Sequence, residues 1–236
     1  MLRLDKLLCE MNIGTRSQVK TFLKQGLIKV NGEVVTRPEY KVEEQTAEIT
    51  YKGETLRYRK YVYYMLHKPA GVVSATQDNT CRTVTELLKD TGWKDLFPVG
   101  RLDKDTEGLL LMTNDGELAH NLLSPKKHVS KVYYAELRAA LSQEAIKQLE
   151  EGVDIGEESL TLPAKVEQVA DKKIHLTITE GKFHQVKRML QAVGNEVLYL
   201  KRIAMGTLVL DETLAKGSYR ELTDAEVDGL KIANEK

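Results

Sequence analysis

Apolar residues fall at Leu4, Leu7, Leu8 and Met11, the spacing of one helical face, and Gly14 offers a stop. Thr15 can cap a second helix, with Gln18 three residues on completing a capping box. Val19, Phe22 and Leu23 give that helix its apolar side, and Gly26 ends it. In "LIKVNGEVV", Asn31-Gly32 sits between two apolar stretches, the mark of a hairpin closed by a type I′ turn. Helix, helix and hairpin therefore follow one another within about 35 residues.

Around "YKGETLRYRKYVYYML" the chain turns from polar to apolar. The boundary falls near residues 57–61, giving a module over 1–58 and a second domain over 59–236. In the second domain apolar strands alternate with short helices. "YVYYML", "GLLLMT", "KVYYAEL", "KKIHLTIT", "EVLYLKRIAM" and "TLVL" read as strands. "TVTELL", "GELAHNLL", "LSQEAIKQLEEG" and "KFHQVKRMLQAVGN" read as helices. The unbroken run Leu109–Met112, closed by Asn114-Asp115-Gly116, predicts a strand buried on both faces. Hairpin-like junctions are too frequent for a doubly wound parallel sheet. The fold class expected is α+β, a small αα-hairpin module followed by a domain with a mixed, largely antiparallel sheet.

Composition narrows the function. Hydrophobic residues make up 42% of the 236, enough for an ordinary core. No run approaches a membrane span of roughly 18–20 apolar residues, and charge in every turn of "MLRLDKLLCEMN" argues against a signal peptide. Cys9 and Cys81, far apart and outside any CxxC, point to a reducing cytoplasm rather than a disulfide scaffold. The net charge is zero, yet residues 1–60 hold 12 Lys and Arg against 8 Asp and Glu, and the remainder carries the compensating negative excess. Arg16, Lys20 and Lys24 recur every fourth residue and form one cationic stripe, with Lys29 following in the hairpin. Such a stripe can neutralise successive phosphates; its plainer role is a solvated helix face.

Several chemistries find no support. There is no GxxxxGK[ST], strand-linked GxGxxG, HExxH or GxSxG. What stands out is polar residues at strand and helix ends: Lys68 in "HKPAG", Asp103 in "GRLDKDT", Tyr133 in "SKVYY" and Lys187 in "EGKFHQVKRML". On the last helix Val186, Met189, Leu190 and Val193 face the core, while His184, Lys187 and Gln191 share another side. A lysine there can reach a carboxylate from a neighbouring loop and stabilise its ionised form; its plainer role is a solvated lysine.

"RLDKLLCEMNIGTRSQVKTFLKQGLIKVNGEVV" resembles an S4-type RNA-binding domain over roughly residues 2–48. "MLHKPAGVVSAT", "GRLDKDTEGLLLMTNDG", "SKVYYAEL" and "EGKFHQVKRMLQAVGNEV" resemble, in order, the motifs of the pseudouridine synthases, in particular the RsuA branch acting on small-subunit ribosomal RNA. This likeness spans residues 61–225. It implies conversion of a uridine to pseudouridine in 16S rRNA, at uridine 516 in standard rRNA numbering, without redox, metal or nucleotide cofactor. It implies Asp103, Tyr133 and Lys187 as catalytic residues, Asp103 held ionised with the help of Lys187. Tyr133 is suited to stack on the flipped base, or to pack in the core; the neighbouring Tyr134 fits the spacing less well. Arg101 would enter the RNA stack as the base leaves, or contact a phosphate. Lys68, His184 and Arg188 are further RNA contacts, alongside Arg16, Lys20 and Lys24 in the module. Many relatives carry arginine where Lys187 stands, which keeps the charge but loses the bidentate fork, and the adjacent Arg188 could share its role. The expected partner is 16S rRNA or a partly assembled small subunit, bound by a monomer without membrane attachment. Two alternatives remain open: a synthase acting on large-subunit rRNA, and a catalytically silent rRNA-binding assembly factor. The short, mildly acidic ending "TDAEVDGLKIANEK" favours the small-subunit reading over the large-subunit one.

Overall fold

The computed structural model describes residues 1–11, 13–44, 46–56 and 59–232, which form two compact units, Met1–Tyr61 and Val62–Lys236. Two residues of the expected boundary, Arg57 and Tyr58, lie outside the described residues, as do the last four of the chain.

In the first unit β1 (Leu2–Arg3) leads into α1 (Leu4–Glu10), and α2 spans Arg16–Lys24. Thr15 caps α2 as its sequence implies. The Gln18 N–H donates to the Thr15 hydroxyl at 3.4 Å, and the Thr15 N–H donates back to Gln18 Oε1 at 2.8 Å. The hairpin of β2 (Ile28–Val30) and β3 (Glu33–Val34) turns through Asn31 and Gly32, both at positive φ. The order β3-β2-β5-β6 adds a second hairpin, β5 (Ile49–Tyr51) and β6 (Glu54–Leu56), and β4 (Lys41–Val42) pairs with β1. The sequence reading missed these short strands. The core is wholly aliphatic: Leu4, Leu7, Leu8, Val19, Leu23, Ile28, Val30, Val35, Val42 and Ile49.

The second unit is one mixed sheet. Its strands are β7 (Tyr63–Lys68), β8 (Phe97–Pro98), β9 (Glu107–Thr113), β10 (Lys131–Leu137), β11 (Lys165–Ala170), β12 (Lys173–Ile178), β13 (Val197–Met205), β14 (Leu208–Val209) and β15 (Tyr219–Glu221). The order along the sheet is β11-β12-β10-β13-β9-β7-β15, and only β13 and β9 run parallel. The helices are α3 (Gly116–Leu123), α4 (Gln143–Glu151), α5 (Gln185–Ala192) and α6 (Asp224–Ile232), with 3₁₀ turns at Val84–Thr91 and Pro125–Lys127. β11, β15 and α6 escaped the sequence reading: β11 is polar and mostly exposed, and β15 has three residues. No helix among the described residues is long and apolar enough to cross a membrane.

β9 explains its own sequence. Leu110 and Met112 join the core on one side of the sheet, Leu109 and Leu111 the core on the other. Each such leucine contributes roughly 1.5–3 kcal/mol by leaving water. Gly108, at the start of β9, is required. Its φ is 107°, and a Cβ there would stand 2.2 Å from the Arg202 carbonyl oxygen on β13. That close approach lets β9 and β13 pair and fixes the loop immediately before it, Arg101–Thr106.

Candidate active site

The Arg101–Thr106 loop is built on buried backbone contacts. Lys68, the last residue of β7, is 0% exposed. Its Nζ donates to the carbonyls of Thr106 at 2.8 Å, Asp103 at 3.0 Å, Pro69 at 3.1 Å and Lys104 at 3.4 Å. Burial pushes its pKa down to about 8, against the pull of Asp105, Asp103 and Glu107. Lys68 is therefore no RNA contact, correcting the expectation from sequence; it is a strut beneath the loop. A cation at the end of an apolar strand looks the same in sequence whether it faces solvent or the loop backbone. Ser74 adds a second tie: its hydroxyl donates to the Leu102 carbonyl at 2.9 Å and accepts from the Leu102 N–H at 3.0 Å.

On this base the side chain of Asp103 is 24% exposed and meets Lys187 of α5, Oδ2 to Nζ being 3.2 Å. The expected pairing across 84 residues is present, with an addition that sequence reasoning missed. Lys187 lies closer to Asp105, at 2.6 Å. The hydrogen bond from Lys187 holds the Asp105 carboxyl below its ordinary range, against the opposing effect of burial. On Lys187 burial acts to lower the pKa, but the hydrogen bond to Asp105 and the charge of Asp103 outweigh it and raise it. The ammonium is thus held charged between two carboxylates.

His184 approaches from the other side, Nε2 standing 3.6 Å from Asp103 Oδ1. It does not share a helical face with Lys187 as its spacing suggested. α5 begins only at Gln185, and His184 precedes it in the left-handed region at φ 49°. The turn is held by the Lys182 N–H donating to Gln185 Oε1 at 2.8 Å. There His184 stacks on Phe183, ring centroids 3.8 Å apart, and Phe183 is 71% exposed. An apolar residue at a helix start reads as core, so nothing in the sequence marked Phe183. Arg188 does not share the work of Lys187: its guanidinium goes to Glu157 at 2.7 Å and to the carbonyls of Phe183 and Ile155.

These groups border a cavity of about 590 Å³, within the range of small-ligand sites. Arg101, Asp103, Tyr133, His184 and Lys187 all line it. Arg101 is exposed, while Tyr133 is 8% exposed and belongs to the core edge as well as the cavity wall. Tyr134 points to the other face of the sheet, donating its hydroxyl to Glu136 at 2.7 Å. Behind the loop Glu107 accepts from Tyr199 at 2.6 Å and pairs with Lys216 at 2.6 Å. Burial works to raise the Glu107 pKa, but these two donors lower it. The arrangement is two carboxylates beside one cation, of which Asp103 lines the half-enclosed cleft together with the ring of Tyr133. It can orient a flat polar ring and bring a carboxylate to it. In the first unit Arg16, Lys20 and Lys24 are all exposed on α2.

The RNA pseudouridylate synthase family model matches residues 62–192, and the S4 domain model residues 2–47. The chain is 50% identical over 231 residues to the uncharacterized RNA pseudouridine synthase YtzG of Bacillus subtilis, covering 96% of this chain and 97% of that protein. It is 40% identical over 227 residues to ribosomal small subunit pseudouridine synthase A of Vibrio cholerae, covering 96% and 98%. It is 41% identical over 238 residues to ribosomal large subunit pseudouridine synthase B of Bacillus subtilis, covering 98% and 96%. A solved structure, described as the crystal structure of pseudouridylate synthase, shares 39% identity with a TM-score of 0.69, covering 98% of this chain and all of that one.

Proposed function

The chain belongs to the RNA pseudouridylate synthase family, an isomerase acting on RNA with an S4 RNA-binding domain, and we propose that its substrate is one uridine of small-subunit (16S) rRNA, uridine 516 in standard rRNA numbering, with Asp103 as the catalytic carboxylate. The observation that carries the catalytic assignment is the placement of Asp103: on a loop tied from beneath by Lys68 and Ser74, at the cavity, 3.2 Å from Lys187. The reaction breaks the uridine N1–C1′ bond, turns the base and rejoins it through C5. Within structured RNA the target base must first leave the stack, which costs a few kcal/mol. Tyr133 receives the flipped base on the cavity wall, Arg101 at the mouth fills the space it leaves, and Lys187 pairs with the Asp103 carboxylate at 3.2 Å. The cationic stripe of α2 holds RNA through its phosphates. The protein works in the cytoplasm.

A second reading, the large-subunit rRNA, is favoured by the likeness to the large-subunit synthase of Bacillus subtilis, whose 41% identity stands beside 40% for the small-subunit relative of Vibrio cholerae. Pseudouridine mapping of both rRNAs from cells lacking the gene separates the two. Loss of the 16S site alone is expected; loss of a large-subunit site with the 16S site intact overturns the assignment.

A further inference from the structure

Two cations on the cavity wall take no part in the reading above. Lys131 is 8% exposed and Arg202 2%. Lys131 stands two residues before Tyr133 on β10, and Arg202 is paired with Tyr133 across to β13. Residues two apart on a strand, and paired residues on neighbouring strands, present their side chains on one face of a sheet. All three line the cavity, and Tyr133 is a strand neighbour of each cation.

Burying an ammonium beside a guanidinium is costly unless hydrogen bonds and counter-charge compensate it, and here they do so only in part. Of three N–H donors on Lys131 Nζ, one is used among the described residues, to the Val129 carbonyl at 2.9 Å. Burial, then the charge of Arg202, push the Lys131 pKa down to about 8 against the pull of Glu180. Glu180 is itself engaged by Gln185 Nε2 at 2.7 Å, the Leu162 N–H at 2.9 Å and Lys182 at 3.9 Å. Arg202 Nε donates to the Leu109 carbonyl at 2.8 Å, but its Nη2 is buried with no partner among the described residues. Positive charge and unused donors are thus in excess at the place where a base lying on Tyr133 would put its edge.

We propose that Lys131 and Arg202 form a subsite for the carbonyl oxygens of the flipped uracil and stabilise the negative charge those oxygens gain during the isomerisation. The inference rests on the function proposed above. When the N1–C1′ bond breaks, its electron pair stays with the base and spreads over N1, O2 and O4, while C1′ is left electron-poor facing Asp103. After the base turns, C5 bonds to C1′, the hydrogen on C5 leaves as a proton and N1 takes up a proton, so atoms and charge balance. If the Asp103 carboxylate instead adds first to C6, the C5–C6 π pair moves toward O4, and the same oxygens carry the charge. Donors fixed where charge appears only on the way to the transition state accelerate the step rather than merely tightening binding. A phosphate fits this subsite less well, because both cations are buried beside Tyr133 while the exposed Arg101 serves the mouth.

The test is Lys131→Met, measured for single-turnover pseudouridine formation at saturating RNA, RNA affinity and thermal melting, beside wild type and Lys131→Arg. The rate is expected to fall about 10²-fold, with affinity within about threefold of wild type and much of the rate restored by Lys131→Arg. An unchanged rate overturns the subsite. So does a loss of affinity with a salt slope shallower by about one at unchanged rate, the mark of a phosphate contact. If Lys131→Met does not fold, the wild-type protein is given RNA with 4-thiouridine at the target. Sulfur accepts hydrogen bonds poorly, yet thiouracil holds a detached electron pair better than uracil. A slower reaction then supports the subsite, and an equal or faster one overturns it. Wild-type protein that makes no pseudouridine contradicts the proposed function itself, whereas active wild type with an equally active Lys131→Met contradicts the subsite alone.

Discussion

The two units bury different things. Among the described residues of the first, Asp5 is the only charged or polar side chain in the buried class, and everything else in its core is aliphatic. The second buries Lys68, Glu107, Asp115, Lys131 and Arg202 within or beside its sheet. A surface that holds RNA by phosphate contacts needs only exposed cations on a stable frame. A site that handles a base needs a carboxylate at a set position, and setting it consumes buried polar groups whose partners are backbone carbonyls and other charges. The first unit should therefore forgive single substitutions of its functional residues, and the second should not.

The most severe test of that contrast is Asp103→Asn. Asparagine is nearly isosteric and the site is partly open, so the variant should melt near the wild-type temperature and still bind RNA. Pseudouridine formation should fall by at least about 10³-fold, as for other single catalytic groups. Steady turnover by the pure variant would remove Asp103 from the centre of the reaction. Gly108→Ala strikes the frame instead. With a Cβ 2.2 Å from backbone on β13 and φ at 107°, the strands must part, and the second unit should lose about 3 kcal/mol or more of stability. A melting temperature unchanged from wild type would show that the close approach is relaxed at no cost.

Lys187→Met should lower the rate about 10²-fold, because it strips the cation from Asp103 and Asp105 together. Lys187→Arg should recover most of the loss, and equal damage from both would point to shape rather than charge. Smaller still is a pH effect. Lys68 and Lys131 are both pushed by burial to about 8 from an ordinary 10.5. Activity should decline as pH rises through about 8, when the strut under the loop loses a donor. Stability should move the other way. Between about 8 and 10.5 the unfolded lysines still hold protons that the folded ones have released, so the folded state gains as pH rises. Activity and melting temperature falling together across that range would assign the decline to unfolding.

How much could be read in the sequence follows the same division. In the first unit the signals are local: Thr15 and Gln18 cap their own helix, and Asn31-Gly32 turns its own hairpin. In the second, β9 was readable because a strand buried on both faces has nowhere to place a polar residue. The pairing of Asp103 with Lys187 spans 84 residues and came from resemblance as much as from pattern. Lys68 was misplaced because its partners are backbone carbonyls, which carry no residue identity. Asp105 and Lys131 were given no role because charged residues in loops and at strand starts are ordinarily solvated. His184 was assigned to a helical face because a left-handed residue just before a helix leaves the 3.6-residue period undisturbed.

The smallest expected effect lies in the first unit, and it decides whether the contrast holds. Arg16, Lys20 and Lys24 are exposed along one side of α2, and the α2 core residues Val19 and Leu23 are fully buried away from them. Changing any one of the three to Gln should alter stability by no more than about 0.5 kcal/mol, as for surface positions generally, and affinity only a few-fold. Changing all three should weaken binding to a folded rRNA fragment by about tenfold or more. It should also make the dependence of log K on log salt shallower by about two to three, one released counterion for each lost phosphate contact. The single-turnover rate at saturating RNA should be untouched, since none of the three belongs to the unit that carries Asp103. A salt slope equal to that of wild type would reduce the stripe to a solvated helix face. A fall in the saturated rate would show that the first unit positions the substrate for chemistry as well as holding it, and the division between a forgiving unit and an exacting one would then have to be given up.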